Sequence, residues 1–387
     1  MKIAGVDVTQ RSGSARLSAT MEWERVERPP ERIEFTYHGI DEGALSAPGD
    51  AIVVALLFFA MSAGEDMRID VPVSRRLLSG TPAVVELNRR WHPRWHPTRV
   101  QAQAVDRPRG PGLEVGAFFS GGVDSFATIL RARPDPVTVL LSVLGLDIRF
   151  EQRAAGDQIV SHLAQAAREL EMKHVVADTN VFEIGHRYFP RSEHFGSTLS
   201  AIALGLGGML RCCYLPTASA LEPRPWGAQV IGHPEWATES LELCNDGGEE
   251  SRYDKLRRVI ESDVALRYLR VCIREPASYN CGRCDKCVGT AVALTELGAI
   301  DRCATLARVE PRAVARTRLS LSWLSEFQDL YEWMTDPELK HAVGRAITRN
   351  RIMNAARPAV DAIRRRRARR RLRAWESRRV VAGPRDA

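Results

Sequence analysis

At 387 residues, with 44% hydrophobic and 27% charged side chains, the chain is long enough for more than one core, and its composition excludes a disordered or collagen-like polypeptide. The net charge of +7 is unevenly spread. From Arg345 to Ala387 there are 15 arginines against Asp361, Glu376 and Asp386, a local balance of +12 that leaves the preceding 344 residues at −5. The longest apolar run, Ala51 to Ala63, is interrupted by Ser62 and is too short for a transmembrane segment. Met1 to Asp7 lacks the apolar core of a signal peptide, so a cytoplasmic protein is expected.

Residues 1–108 read as an α+β module. Ile33–Tyr37 and Met67–Val71 alternate like strands, while Asp50–Met61 predicts an apolar helix with Asp50 as its N-cap. A second helix is predicted over Ser74–Trp91 and a further strand over Thr98–Val105. Trp91-His92-Pro93 and Trp95-His96-Pro97 form a short repeat that its prolines mark as a turn. Asp106–Gly112, dense in proline and glycine, reads as a linker.

Over 113–270 the rhythm changes to strand, turn, helix, strand, which predicts an α/β fold with a doubly wound parallel sheet. Strands are predicted at Pro136–Val143, Lys173–Ala177, Arg211–Leu215 and Ala228–Ile231, with helices at Ala154–Leu170 and Ser197–Leu210. The first strand runs through Ala117-Phe118-Phe119 into Ser120-Gly121-Gly122-Val123-Asp124-Ser125 and then a helix. Such a turn suits an anion, because two glycines reach backbone angles closed to other residues and the first helical amides point at whatever lies over the helix. A phosphate or pyrophosphate is the expected guest. No lysine lies in the loop, so it is not a Walker sequence.

The ends of the later strands, near Ser142–Gly145, Asp178-Thr179-Asn180 and Pro216–Ser219, are where a nucleotide and its acceptor are expected in this architecture. Arg187, Arg191, His194 and His233 are weaker candidates at helix starts and strand ends. More informative is the acidic, serine-containing start of the helix that holds Arg252 and Lys255, three residues apart on nearly one face.

Residues 271–344 are expected to hold a cysteine knot and helices. Cys272, Cys281, Cys284 and Cys287 give one distant thiol and a Cys-x2-Cys-x2-Cys run, four ligands that close a tetrahedral zinc site. An iron–sulfur cluster uses the same ligand set. Gly282 lets the loop fold back, and Arg283 and Lys286 offset thiolate charge. After the knot, helices are predicted at Gly289–Leu297 and Ser322–Met334. The tail, 345–387, carries its densest arginine cluster at 362–373, a polyanion contact or a solubilising end.

Ser120-Gly121-Gly122-x-Asp124-Ser125 resembles the signature of the PP-loop ATP pyrophosphatases (adenine nucleotide alpha hydrolase-like). Together with the four cysteines it is similar to the 7-cyano-7-deazaguanine synthase branch of that superfamily. The resemblance covers about residues 113–300 and implies ATP, Mg²⁺ and Zn²⁺. It implies nucleotide binding by Ser120, Gly121, Gly122, Val123, Asp124, Ser125, Arg252 and Lys255, with Asp124 and Lys255 catalytic. The activity implied is adenylation of a small carboxylate, amide or carbonyl acceptor with release of pyrophosphate, followed by attack of a nitrogen nucleophile, as in a carbon–nitrogen ligase. Two alternatives stay open: an RNA-thiolating enzyme in which Cys212 or Cys213 carries sulfur, and a non-catalytic nucleotide-binding subunit.

Overall fold

The computed structural model describes residues 1–107, 114–146, 153–190, 193–218, 234–272, 274 and 278–355. Arg191, Ser219, the expected strand at Ala228–Ile231, His233, most of the expected linker and the arginine cluster at 362–373 lie outside the described residues. The chain divides into two compact units, Met1–Cys281 with Leu297–Ala307, and Gly282–Glu296 with the chain from Arg308 onward.

The first unit opens with β1 (Lys2–Arg11), β2 (Ser14–Glu22) and β3 (Glu31–His38), an antiparallel meander. Helix α1 (Pro48–Ala63) follows, buried along Gly49–Met61, because a helix apolar on every side must be enclosed. Each of its fully buried Leu and Phe side chains contributes about 1.5–3 kcal/mol. Proline at the start fixes the entry, and Gly64, at φ 71°, ends the helix in the left-handed conformation.

The N-cap position belongs to Ala47 rather than to Asp50. Asp50 lies one turn inside, where its carboxylate accepts the Ser74 N–H at 2.7 Å and pairs with Arg107 at 3.0 Å. Burial pushes its pKa up to about 6 against those partners.

Short strands β4 (Met67–Ile69) and β5 (Val73–Ser74) lead to α2 (Arg75–Trp91), which Ser74 caps by accepting the Leu77 N–H. β6 (Val100–Gln101) and β7 (Ala104–Val105) replace the single strand expected over Thr98–Val105, and they belong to different sheets.

Next come β8 (Glu114–Phe118), α3 (Val123–Leu130), β9 (Val139–Leu144), α4 (Arg153–Glu169) and β10 (Lys173–Thr179). The unit continues through α5 (Val181–Gly185), α6 (Phe195–Gly205), β11 (Leu210–Pro216), β12 (Glu242–Asp246), α7 (Arg252–Val259) and α8 (Asp263–Tyr268). Among the described residues the main sheet has ten strands in the order β12-β11-β8-β9-β10-β3-β2-β1-β4-β6, and most of its neighbouring pairs are parallel. Residues 1–108 therefore do not carry a separate main sheet: β3 pairs antiparallel with β10, Phe35 opposite Thr179.

Within the parallel half, β8 is central, with β9 and β10 on one side and β11 and β12 on the other. Right-handed crossovers then place the helix after β8 and those after β10 on opposite sheet faces. The packing agrees, since α1 and α6 share one apolar core while α3 packs against α7. The order reverses between β8 and β11, and in such sheets the crevice at the strands' carboxyl ends at that point is the ligand site.

The second unit is helical: α9 (Asp285–Glu296), α10 (Pro311–Arg316), α11 (Leu321–Trp333) and α12 (337–355). α9 and α11 approach closely at Gly289, where a β-carbon would lie 2.7 Å from the Trp323 ring. Asp285 at the start of α9 accepts the backbone N–H and the hydroxyl of Ser320 just before α11, at 3.1 and 2.8 Å. Asn350 of α12 accepts the Leu319 N–H at 3.0 Å and donates to the Thr317 carbonyl at 2.9 Å.

Candidate functional site

Ser120 to Ser125 leave the carboxyl end of β8 at the point where the strand order reverses. β8 is held from both sides, by β9 and β11, and at Gly116 a β-carbon would come within 3.1 Å of Leu210. Gly121 takes φ +72°, a left-handed angle that favours glycine, and a β-carbon there would meet Leu163 at 2.8 Å. Ser120 is exposed and its hydroxyl accepts the Gly122 N–H at 3.3 Å. The Ser125 hydroxyl, buried, donates to the Gly122 carbonyl at 3.0 Å, and Val123 is buried in the core. Gly122 is the N-cap of α3, and no side chain caps that helix.

Asp124, in the first turn of α3, meets the two cations expected from α7. Lys255 Nζ donates to Asp124 Oδ1 at 2.8 Å, and Arg252 Nη1 lies 3.5 Å from Oδ2. Lys255 is only 1% exposed whereas Asp124 is 27% exposed, so the carboxylate stands between solvent and a buried ammonium. The same ammonium donates to the carbonyl of Thr217, just beyond β11. Ser251 fixes the start of α7 by accepting the Asp254 N–H at 3.1 Å. Gly247, at φ +83°, leaves room for the lysine: a β-carbon there would lie 3.0 Å from Lys255 Cε.

Beside this centre Asp246, at the end of β12, accepts the Thr128 hydroxyl at 2.7 Å and Arg133 Nη2 at 3.2 Å. Arg131 pairs with Glu249 and Glu250. The carboxyl ends of β8, β11 and β12 thus converge on α3 and α7. Thr217 lies in the strand end Pro216–Ser219 that the sequence marks as a nucleotide or acceptor position; Asp246 and Gly247 are not singled out by the sequence as partners of the loop. The strand β12 that delivers two of them, Glu-Leu-Cys-Asn-Asp, carries little of the β-branched signal of its neighbours.

Other candidates fall elsewhere. Ser142 is buried, donating to the Phe119 carbonyl at 2.8 Å and sharing a hydrogen bond with His174, whose pKa burial lowers to about 4. Arg187 pairs with Glu31 at 2.7 Å. His194 is fully buried, its ring set among those of Phe59, Phe182 and Phe189. His92 packs on Trp95 with ring centroids 4.4 Å apart, and the Trp95 N–H donates to the His92 carbonyl at 2.8 Å, a turn as that repeat predicts. Cys213 is fully buried, and burial raises its thiol. Cys212 lies 3.8 Å from Cys244 Sγ, and that contact with burial raises its thiol too.

The sulfurs of Cys272, Cys281, Cys284 and Cys287 all lie within 4.8 Å of one another. A tetrahedral zinc with Zn–S of about 2.3 Å needs sulfurs about 3.8 Å apart, so small inward shifts complete the shell and the four thiols can hold a metal ion such as zinc. Gly282 adopts φ +68° between the ligands, and the Cys287 N–H points at Cys284 Sγ at 3.5 Å. Asn280 secures the strand-like approach to Cys272. Its oxygen accepts the Val271 and Cys272 N–H groups at 2.9 and 3.1 Å, and its nitrogen donates to the Leu269 carbonyl at 2.8 Å.

No described helix is long and apolar enough to cross a membrane. No family model, curated protein or solved structure matches the chain.

Proposed function

We propose that the protein is a PP-loop ATP pyrophosphatase acting as a carbon–nitrogen ligase: it adenylates a small carboxylate, amide or carbonyl acceptor, releases pyrophosphate, and lets a nitrogen nucleophile displace AMP. The observation that carries this reading is the meeting of the Ser120–Ser125 loop with a buried lysine from α7 at the switch point of a parallel sheet, Lys255 Nζ to Asp124 Oδ1 at 2.8 Å. A buried ammonium shared between one carboxylate and one carbonyl is a preorganised phosphate partner, because anionic oxygens can replace the solvent-facing carboxylate without new desolvation of the lysine.

In this reading the backbone of Gly121, Gly122 and Val123 at the start of α3 receives the β and γ phosphates, with Ser120 and Ser125 shaping the turn. The acceptor oxygen attacks the α phosphorus, the bond to the bridging oxygen of the β phosphate breaks, and pyrophosphate leaves. Lys255 and Arg252 neutralise the negative charge that builds on the leaving group. Mg²⁺, when bound, supplies charge neutralisation along the polyphosphate, and Asp124 is the residue that would hold it. The four-cysteine cluster has no open position once it holds a metal, which assigns it a structural role apart from the reaction. A sulfur-shuttling role for Cys213 is disfavoured by its full burial, and one for Cys212 by its contact with Cys244, which holds its proton.

The test is a screen of carboxylates, amides and nucleosides for ATP-dependent pyrophosphate release, with the adduct identified by mass. AMP and pyrophosphate as products support the reading; ADP and phosphate as the only products refute it.

A further inference from the structure

Arg270 follows α8 in an extended segment and is packed directly on the phosphate-type turn. Its N–H donates to the Gly121 carbonyl at 2.7 Å, and a β-carbon built on Gly121 would lie 3.4 Å from Arg270 Cβ. The residue is 6% exposed, yet among the described residues its buried Nε and Nη2 have no hydrogen-bond partner. Other arginines around the site are committed: Arg131 to Glu249 and Glu250, Arg133 to Asp246, and Arg258 to Glu250. Arg270 has no carboxylate partner among the described residues.

A guanidinium is always charged and carries donors in a fixed fork, so burying it without acceptors is unfavourable unless an anion arrives to fill them. Among the described residues no acceptor fills these donors. An anionic group bound at the turn that Arg270 packs on would fill them.

We propose that Arg270 is an anion-binding residue of this site, donating through Nε and Nη2 to oxygens of the pyrophosphate portion of the nucleotide. The proposal rests on the reading given above and adds a residue to it. The competing explanation is structural, with Arg270 serving as counter-charge to the Cys272 thiolate two residues on. The two differ in what removal of the guanidinium does to the protein without ligand.

The experiment compares wild type, Arg270→Met and Arg270→Lys for affinity toward inorganic pyrophosphate by calorimetry, melting temperature without ligand, and bound metal. The expected result for Arg270→Met is pyrophosphate affinity reduced tenfold or more, a melting temperature equal to or above wild type, and unchanged metal content; Arg270→Lys recovers part of the affinity. Wild-type binding that Arg270→Met leaves unchanged overturns the role of Arg270 alone. Loss of metal or a clearly lower melting temperature in Arg270→Met makes the residue structural and overturns it as well. Failure of wild type to bind either pyrophosphate or ATP removes the nucleotide reading itself, and this inference with it.

Discussion

The thiols of Cys272, Cys281, Cys284 and Cys287 come together from a single short stretch of chain, whereas Asp124 and Lys255 meet across 131 residues. In the cysteine cluster the ligands are of one chemical kind, and their spacing already specifies a closed shell. In the switch-point centre an acid from α3 and a base from α7 become partners only after five parallel strands have formed in the order that brings β8, β11 and β12 side by side. The first site is organised by local spacing; the second is organised by the fold. Changes at the two should therefore fail in different ways.

The largest effect is expected from Cys284→Ser. With three thiols left the shell cannot close, so metal content should fall to near zero and the melting transition should drop and broaden, because metal binding and local folding are one equilibrium. Elemental analysis with calorimetry reads both. Full metal retention in this variant would break the comparison at its first term.

Asp124→Ala leaves an ammonium that is 1% exposed with one carbonyl as its partner, and stability should fall by about 3 kcal/mol in denaturant titration while metal content is unchanged. The reverse change, Lys255→Met, leaves Asp124 beside solvent and Arg252 and should cost less than about 1 kcal/mol. Equal costs for the two would show that the ammonium is not the buried member.

A third region serves as a reference, since it belongs to neither site. Burial alone would raise the Glu65 pKa, but hydrogen bonds from the amino terminus and from the amides of Glu24 and Arg25 outweigh it and hold the carboxyl at about 2. With a folded value below the ordinary 4.5, its contribution is fully present above pH 4.5 and is lost as pH falls toward 2, a total of about 3 kcal/mol. Glu65→Gln should cost about 2 kcal/mol at pH 7 and flatten that acid limb, with metal content untouched. An acid limb unchanged in the variant would assign the pH dependence to other carboxylates. Smallest of all, Ser120→Ala should alter stability by less than about 0.5 kcal/mol, because its hydroxyl is exposed and holds only the Gly122 N–H.

What could be read in the sequence follows the same division. The loop, the start of α7 and the cysteine spacing are local patterns, and each lies where its residues predicted. β9 was legible because Val139–Ser142, buried throughout, reads as an apolar run, and β10 and β11, in which buried and half-buried residues mix, from their short apolar centres. β12 was not, since its acids are used for contacts with Arg76, Thr128 and Arg133 rather than for a strand pattern. The joining of the first 108 residues to the main sheet depends on β3 pairing with β10, a long-range contact that no local pattern encodes. Asp50 looked like a helix cap for the same reason: its true partners, Ser74 and Arg107, are distant in sequence. Thr217 is legible as a polar strand end, but its contact with Lys255 is not; Gly247 and Arg270 carry no motif, and only the folded arrangement places them beside Lys255 or Gly121.

The most direct measurement is a calorimetric titration of Mg²⁺–ATP into wild type and Lys255→Met, with metal content of both proteins determined on the same samples. The expected result is saturable binding of one nucleotide per wild-type chain and affinity at least tenfold weaker in Lys255→Met, with the cysteine-bound metal retained in both. No binding to wild type, or equal binding to both proteins, would contradict the assignment of the Asp124–Lys255 centre as a phosphate site.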